Sequence, residues 1–340
     1  MTKAGGQVEA PIGLAGSSLL QGVGCALAAG LLWGLVFIAP VLLPDYPAVV
    51  LSVGRYLAFG LIALPLALAD RVGLRRLSRA DWIEAAWLSL VGNLIYYGFL
   101  AAAIQMAGAP LPTMIIGTLP VVIAVASNLA QRELAWGRLT GSLVVLAAGI
   151  ALVNHDELGH LSRLGGSPQH LLLGSLMAAG AVVCWTWYPI RNARWLKRNT
   201  QVGSGTWATA QGITTLPLAF AGAVLLTLAG WLGPADSTLT RFAAPFGPDP
   251  LLFVGLMFAI GLSASWLGTL FWNRASQLLP TSLAGQLIVF ETLSALLYAF
   301  LLRGSWPGWA TLAGVALLVA GVVLGMRAAQ APALADGLHP

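Results

Sequence analysis

The sequence predicts an all-α membrane protein of ten transmembrane helices, arranged as two inverted five-helix repeats. Three observations lead there. Ten apolar stretches, most about long enough to cross a ~30 Å hydrocarbon core as a helix, occupy nearly the whole chain. The composition is 58% hydrophobic and 9% charged with a mean hydropathy of +0.83, whereas a soluble domain surrounds its core with roughly 25% charged residues. Finally, the second half of the chain restates motifs of the first in the same order.

Lipid offers the backbone no hydrogen-bond partners, which leaves helices or a closed barrel. Long continuous apolar runs, rather than ten-residue alternating ones, select helices. The spans fall at 19–41, 47–69, 82–105, 109–130, 138–154, 171–190, 205–231, 250–272, 280–302 and 307–326. Residues 1–18 are polar and Gly-rich with Lys3 as their one cation, more like a cytosolic tail than a cleaved signal peptide. The expected organisation is a tail (1–18), a first repeat (19–154), an external loop (155–170), a second repeat (171–327) and a second tail (328–340).

Charge fixes the expected orientation. With the amino terminus in the cytosol, that side receives Lys3, Arg71, Arg75, Arg76, Arg79, Arg132, Arg138, Arg191, Arg194, Lys197, Arg198, Arg274 and Arg327, thirteen of the seventeen Lys and Arg. The other side receives Arg163, Arg241 and Arg303. This bias is the one the positive-inside rule gives for a chain with both ends in the cytosol, here of a bacterial inner membrane. The remaining cation, Arg55, lies within span two, and an acid, Glu291, within span nine.

The repeat is read from three matches. Leu111-Pro112-Thr113 with Gly117 returns as Leu279-Pro280-Thr281 with Gly285; Leu146–Leu152 returns as Leu318–Leu324 around Gly149 and Gly321; Gly98-Phe99-Leu100 with Gln105 answers Gly268-Thr269-Leu270 with Gln277. Any one such apolar match is cheap, but their shared order and near-constant offset are not. Five spans per unit is an odd number, so the second unit enters the membrane from the opposite face. That architecture belongs to secondary transporters, which hold substrate near the midplane between repeats and expose it to each side in turn.

Ala29–Gly34 in span one, Ala179-Gly180 with Cys184-Trp185 in span six, the intramembrane Arg55, Glu133 after span four, and the Gly-containing ends of spans five and ten resemble the drug/metabolite transporter superfamily, in its ten-helix branch of paired EamA-type repeats. Within that branch the chain is similar to YddG-type aromatic amino acid exporters. The resemblance implies export or exchange of small metabolites through a central cavity between the halves. One departure stands out: where the family often carries a second glutamate after span nine, this chain reads Leu302-Arg303-Gly304.

The candidate site follows from polar and aromatic groups at membrane depth. Glu291, ~15 Å into its span, is costly as an ion unless it meets partners or water, so it is a functional candidate; proton exchange is one role open to it, and tying two helices together is the structural alternative. Arg55, ~12 Å deep, lies near the same level and suits charge balance or a structural role. Of the aromatics deep in the spans, Tyr97, Trp185, Tyr188 and Trp266 are assigned to substrate, because a buried Tyr or Trp needs a partner for its polar tip. Asn93 with Tyr97, and Ser282 with Gln286, are spaced i, i+4; Glu291, Ser294 and Tyr298 are spaced i, i+3, i+7. Such stripes suit a wet cavity, although interhelical hydrogen bonds give the same pattern. Asn93, Gln286 and Thr113, at the Pro-bounded start of span four, complete the substrate-binding set.

Other chemistries are disfavoured. Cys25 and Cys184 sit in apolar runs without metal or disulfide spacing. His155 and His160 are five apart, not the four a zinc helix needs. No phosphate-binding loop is present, so no nucleotide cofactor is expected, and sparse, loop-segregated charges do not form a nucleic-acid face. An enzyme would need a nucleophile and base at membrane depth. The expected partners are the lipid bilayer and a small-molecule substrate, with proton exchange and facilitated diffusion both open as the mode of transport. The leading expectation is an alternating-access exporter of small amphipathic metabolites, aromatic amino acids among them; the alternative is a lipophilic-cation drug exporter of the same superfamily.

Overall fold

The computed structural model describes residues 16–43, 45–107, 110–131, 134–154, 168–232, 246–304 and 306–330. Among them, ten helices are long and apolar enough to cross a membrane: α1 (Ser17–Gly34), α2 (Val49–Ala69), α3 (Arg79–Ile104), α4 (Met114–Gln131), α5 (Trp136–Val153), α6 (Pro168–Arg198), α7 (Ser204–Leu232), α8 (Pro250–Leu278), α9 (Thr281–Leu302) and α10 (Trp309–Gln330). Their number and order are those expected from hydropathy.

Differences arise where apolarity and helix part company. α6 continues through Arg191, Arg194 and Lys197 to Arg198, 31 residues in all, or about 46 Å of helix. These cations had been expected in a loop. Instead they lengthen the helix beyond its apolar stretch, with Lys197 and Arg198 in its last turn, where the carbonyl end of the helix dipole favours positive charge. α1 stops at Gly34, and a 3₁₀ turn (Leu35–Phe37) and a short helix (Ile38–Leu42) complete that crossing.

The irregular segments fall in matching places. The third span of each half contains a π-helical turn, Leu90–Ile95 in α3 and Gly261–Leu267 in α8. The fourth span of each half is broken after seven residues: Pro110–Ile116 precedes Leu119–Gln131, and Thr281–Leu287 precedes Val289–Arg303. Such breaks are tolerated at membrane depth only where protein or a cavity covers the freed backbone.

The packing follows the same scheme. α2 lies on α7, α4 on α9 and α5 on α10, while α3 packs on α6 as α1 packs on α8, and α1 meets α9 as α6 meets α4. This accords with two units related by a two-fold axis. At the α5–α10 crossing the contacts are reciprocal: a Cβ on Gly149 would come 2.9 Å from the Leu318 side chain, and one on Gly321 would come 2.7 Å from that of Leu146. Of the three segment pairs read as repeats, Leu146–Leu152 and Leu318–Leu324 are thus the pair whose glycines receive each other's leucines. Small residues of this kind let membrane helices approach closely. Gly149→Leu is therefore expected to lower the thermal-unfolding midpoint of the detergent-purified protein, since overpacking a filled interface costs about 1–3 kcal/mol. An unchanged midpoint would refute the close crossing.

Candidate functional site

The centre of the bundle holds a stack of aromatic rings around Trp185. Tyr188, one turn along α6, lies parallel to it with centroids 5.2 Å apart and an interplanar angle of 3°. Tyr96 of α3 stacks on Trp185 at 4.9 Å, and Trp33 of α1 meets it edge-on at 5.9 Å. Trp33 also touches Trp272 of α8 at 5.3 Å. Offset-stacked and edge-to-face pairs are the geometries that ring quadrupoles favour, so four helices share one aromatic core.

The intramembrane charges border it. The Arg55 Nε donates to Ser265 Oγ at 2.9 Å, and its guanidinium lies 5.1 Å from the Tyr56 ring centroid. Glu291 is in the first turn of the second half of α9 and within electrostatic reach of Arg55 and Tyr96. Among the described residues its carboxylate has no hydrogen-bonded side-chain partner and no ion-pair contact. A small cavity of about 20 Å³ lies beside Arg55, lined by Ser52, Tyr97, Met257 and Ile260 among others. That is room for about one water, against the ~300–1,000 Å³ of ordinary ligand pockets.

Contacts also join helices at both ends of the bundle. On the face carrying few cations, Tyr46 donates to the Phe246 carbonyl at 2.7 Å, accepts from the Asp249 N–H at 2.9 Å and stacks on Phe253 at 5.0 Å. On the basic face, Trp195 and Trp207 stack at 3.4 Å, and Arg191 donates twice to Glu84. A separate cavity of about 290 Å³ opens there beside Asp70, Arg76 and Asp81. Its acids already serve the structure: Asp70 accepts from Gly73 and Thr206, and Asp81 from Ser78 and Trp195.

The site residues expected from sequence separate into groups. Trp185, Tyr188, Tyr97, Arg55 and Glu291 lie in or beside the central cluster. Asn93 donates to Thr215 of α7 at 3.4 Å, while Tyr97 lines the cavity by Arg55. Trp266 packs against Tyr56 and Phe59 and donates to Thr209 at 3.0 Å. Gln286 is fully buried, and its Oε1 accepts from Ser142 of α5 at 2.6 Å, so it ties α9 to α5 rather than joining the rings. Ser294 and Tyr298 donate to the Gly30 and Leu31 carbonyls of α1. The Thr113 side chain and Glu133 lie outside the described residues.

Sequence reasoning missed a buried polar chain. Asn273 donates to the Ser204 carbonyl, Asn192 to Asn273, Trp207 and Gln211 to Asn192, and Tyr188 to Gln211. The available signal was an amide inside an apolar span, at Gln211 above all.

Comparisons with known proteins agree with this architecture. Residues 20–154 match the EamA-like transporter family. The chain is 52% identical over 318 residues to the inner membrane protein YtfF of Escherichia coli strain K12, covering 91% of this chain and 96% of the relative. It is 31% identical over 173 residues to the uncharacterized transporter sll0355 of Synechocystis, covering 45% and 51% of the two chains. One solved crystal structure shares the fold with a TM-score of 0.69 over 92% of this chain and 98% of the other, at 20% identity. With its ten-helix bundle, and a relative so similar along nearly its whole length, the chain belongs to the EamA-like transporter family.

Proposed function

We propose that this transporter exports small amphipathic metabolites, aromatic amino acids in particular, by alternating access, with both chain ends in the cytosol and the two five-helix halves rocking about the site. The carrying observation is the juxtaposition of an aromatic stack with an Arg55–Glu291 pair that makes no direct ion pair. A zwitterionic aromatic amino acid complements each part: its carboxylate suits Arg55, its ammonium Glu291, and its ring the faces of Trp185 and Tyr96. Trp33, Tyr97 and Tyr188 complete the walls. Because the rings now pack on one another, substrate enters by replacing a ring–ring contact as the bundle opens. Glu291, whose carboxylate has no hydrogen-bonded side-chain partner among the described residues, is the group that exchanges a proton against the substrate ammonium.

Counterflow in proteoliposomes tests this. Vesicles preloaded with unlabelled phenylalanine are expected to accumulate labelled phenylalanine, tyrosine and tryptophan above vesicles lacking the protein. No accumulation of any of the three, together with protection of cells against lipophilic cationic dyes, would replace this reading with the drug-export one.

A further inference from the structure

The turn from α2 into α3 carries Arg71, Arg75, Arg76 and Arg79, all exposed. Among the described residues none of the four has a hydrogen-bonded or ion-paired partner. The acids close to them are engaged elsewhere: Asp70 with Gly73 and Thr206, Asp81 with Ser78 and Trp195, and Glu84 with Arg191. Arg76 lines the cavity that also contains Asp70 and Asp81, so two carboxylates offset its charge. Arg71, Arg75 and Arg79 do not line that cavity, and the N–H donors of their guanidinium forks are open to a partner outside the chain.

The surface below these arginines is apolar and uncovered. Arg79, Ile83 and Trp87 follow one another at i, i+4 and i+8 in a regular helix and so share a face; Ile83 and Trp87 are each 50% exposed. At the end of α2, Leu64 and Leu68 are exposed as well. Exposed apolar side chains on membrane-spanning helices meet acyl chains, and Trp favours the level where chains give way to head groups. Arg79 stands one turn beyond Ile83, about 6 Å along the axis, which is the level at which a lipid lying on Ile83 and Trp87 carries its phosphate.

We infer that this turn binds an anionic phospholipid, its phosphodiester held by Arg71, Arg75 and Arg79 and its acyl chains lying along Ile83 and Trp87 of α3. Guanidinium forks match phosphate oxygens two at a time, and a basic cluster immediately beyond a membrane helix attracts anionic head groups. The site is independent of the cargo and of the direction of transport.

Native mass spectrometry of the detergent-purified protein, titrated with phosphatidylglycerol and separately with phosphatidylethanolamine of the same chains, tests this. Phosphatidylglycerol is expected to bind more tightly. Arg75→Gln with Arg79→Gln is expected to weaken its binding about 10–30-fold, since each arginine beside an anionic surface contributes about fivefold, and to leave phosphatidylethanolamine binding unchanged. Arg194→Gln with Arg198→Gln removes the same charge from the end of α6 and is expected to alter the affinity about twofold or less. Should the first pair fold poorly, about 0.5 M salt, which screens exposed charges, is expected to abolish the preference for phosphatidylglycerol in the wild-type protein. Equal affinities for the two lipids would overturn the inference, as would equal losses from the two arginine pairs. Displacement of bound phosphatidylglycerol by inorganic phosphate would make the turn a site for soluble anions and overturn it too.

Discussion

Glu291→Gln is expected to slow counterflow about 10–100-fold and to leave the remaining rate independent of pH. The side chain keeps its shape and its place in the first turn of the second half of α9, but loses its charge and its exchangeable proton. Hydrogen bonds to charged groups contribute about 1.5–3 kcal/mol, and each 1.4 kcal/mol is a factor of about ten. Since Glu291 has no hydrogen-bonded side-chain partner to lose among the described residues, the thermal midpoint of the variant is expected to stay close to wild type. Exchange at wild-type rate with wild-type pH dependence would remove Glu291 from the mechanism, and a collapse of thermal stability would make it a structural tie.

Trp185→Leu is expected to give the next largest effect, as a rise of about tenfold or more in the substrate concentration for half-maximal counterflow. Trp185 contacts Tyr96, Tyr188 and Trp33, and each aromatic pair contributes about 0.5–1.5 kcal/mol beyond its buried area. Trp266→Phe serves as the contrast. Trp266 packs against the cluster of Tyr56, Phe59 and Ala219 and donates to Thr209, so its replacement is expected to lower stability modestly while the half-maximal concentration stays unchanged. Equal kinetic effects from the two would show that ring number, rather than the stack around Trp185, governs binding.

What could be read from sequence depended on whether the governing interaction was local. Ten spans were legible because transfer into lipid acts on each segment separately. The end of α6 was not, since Arg191, Arg194 and Lys197 are helical for reasons hydropathy ignores. The pairing of Gly149 with Leu318 was foreshadowed by the repeat, whereas the turns at Leu90–Ile95 and Gly261–Leu267 leave no compositional mark. Gln286 looked like a cavity residue because nothing in its own span reveals that Ser142 faces it. For the same reason the chain from Asn273 to Tyr188 was invisible: every bond in it joins residues at least 15 apart in sequence.

The two intramembrane charges belong to opposite halves of the chain, Arg55 on α2 and Glu291 on α9. In the cycle proposed above, relative motion of the halves changes the separation of a cation and an anion in a medium of low dielectric, where such work is large. An unloaded carrier escapes that work only by keeping a proton on Glu291, while a zwitterion offers each charge its own counterpart and travels with both. Cargo then acts as the lubricant of its own passage, and one-for-one swapping of solutes across the bilayer should outrun net flow.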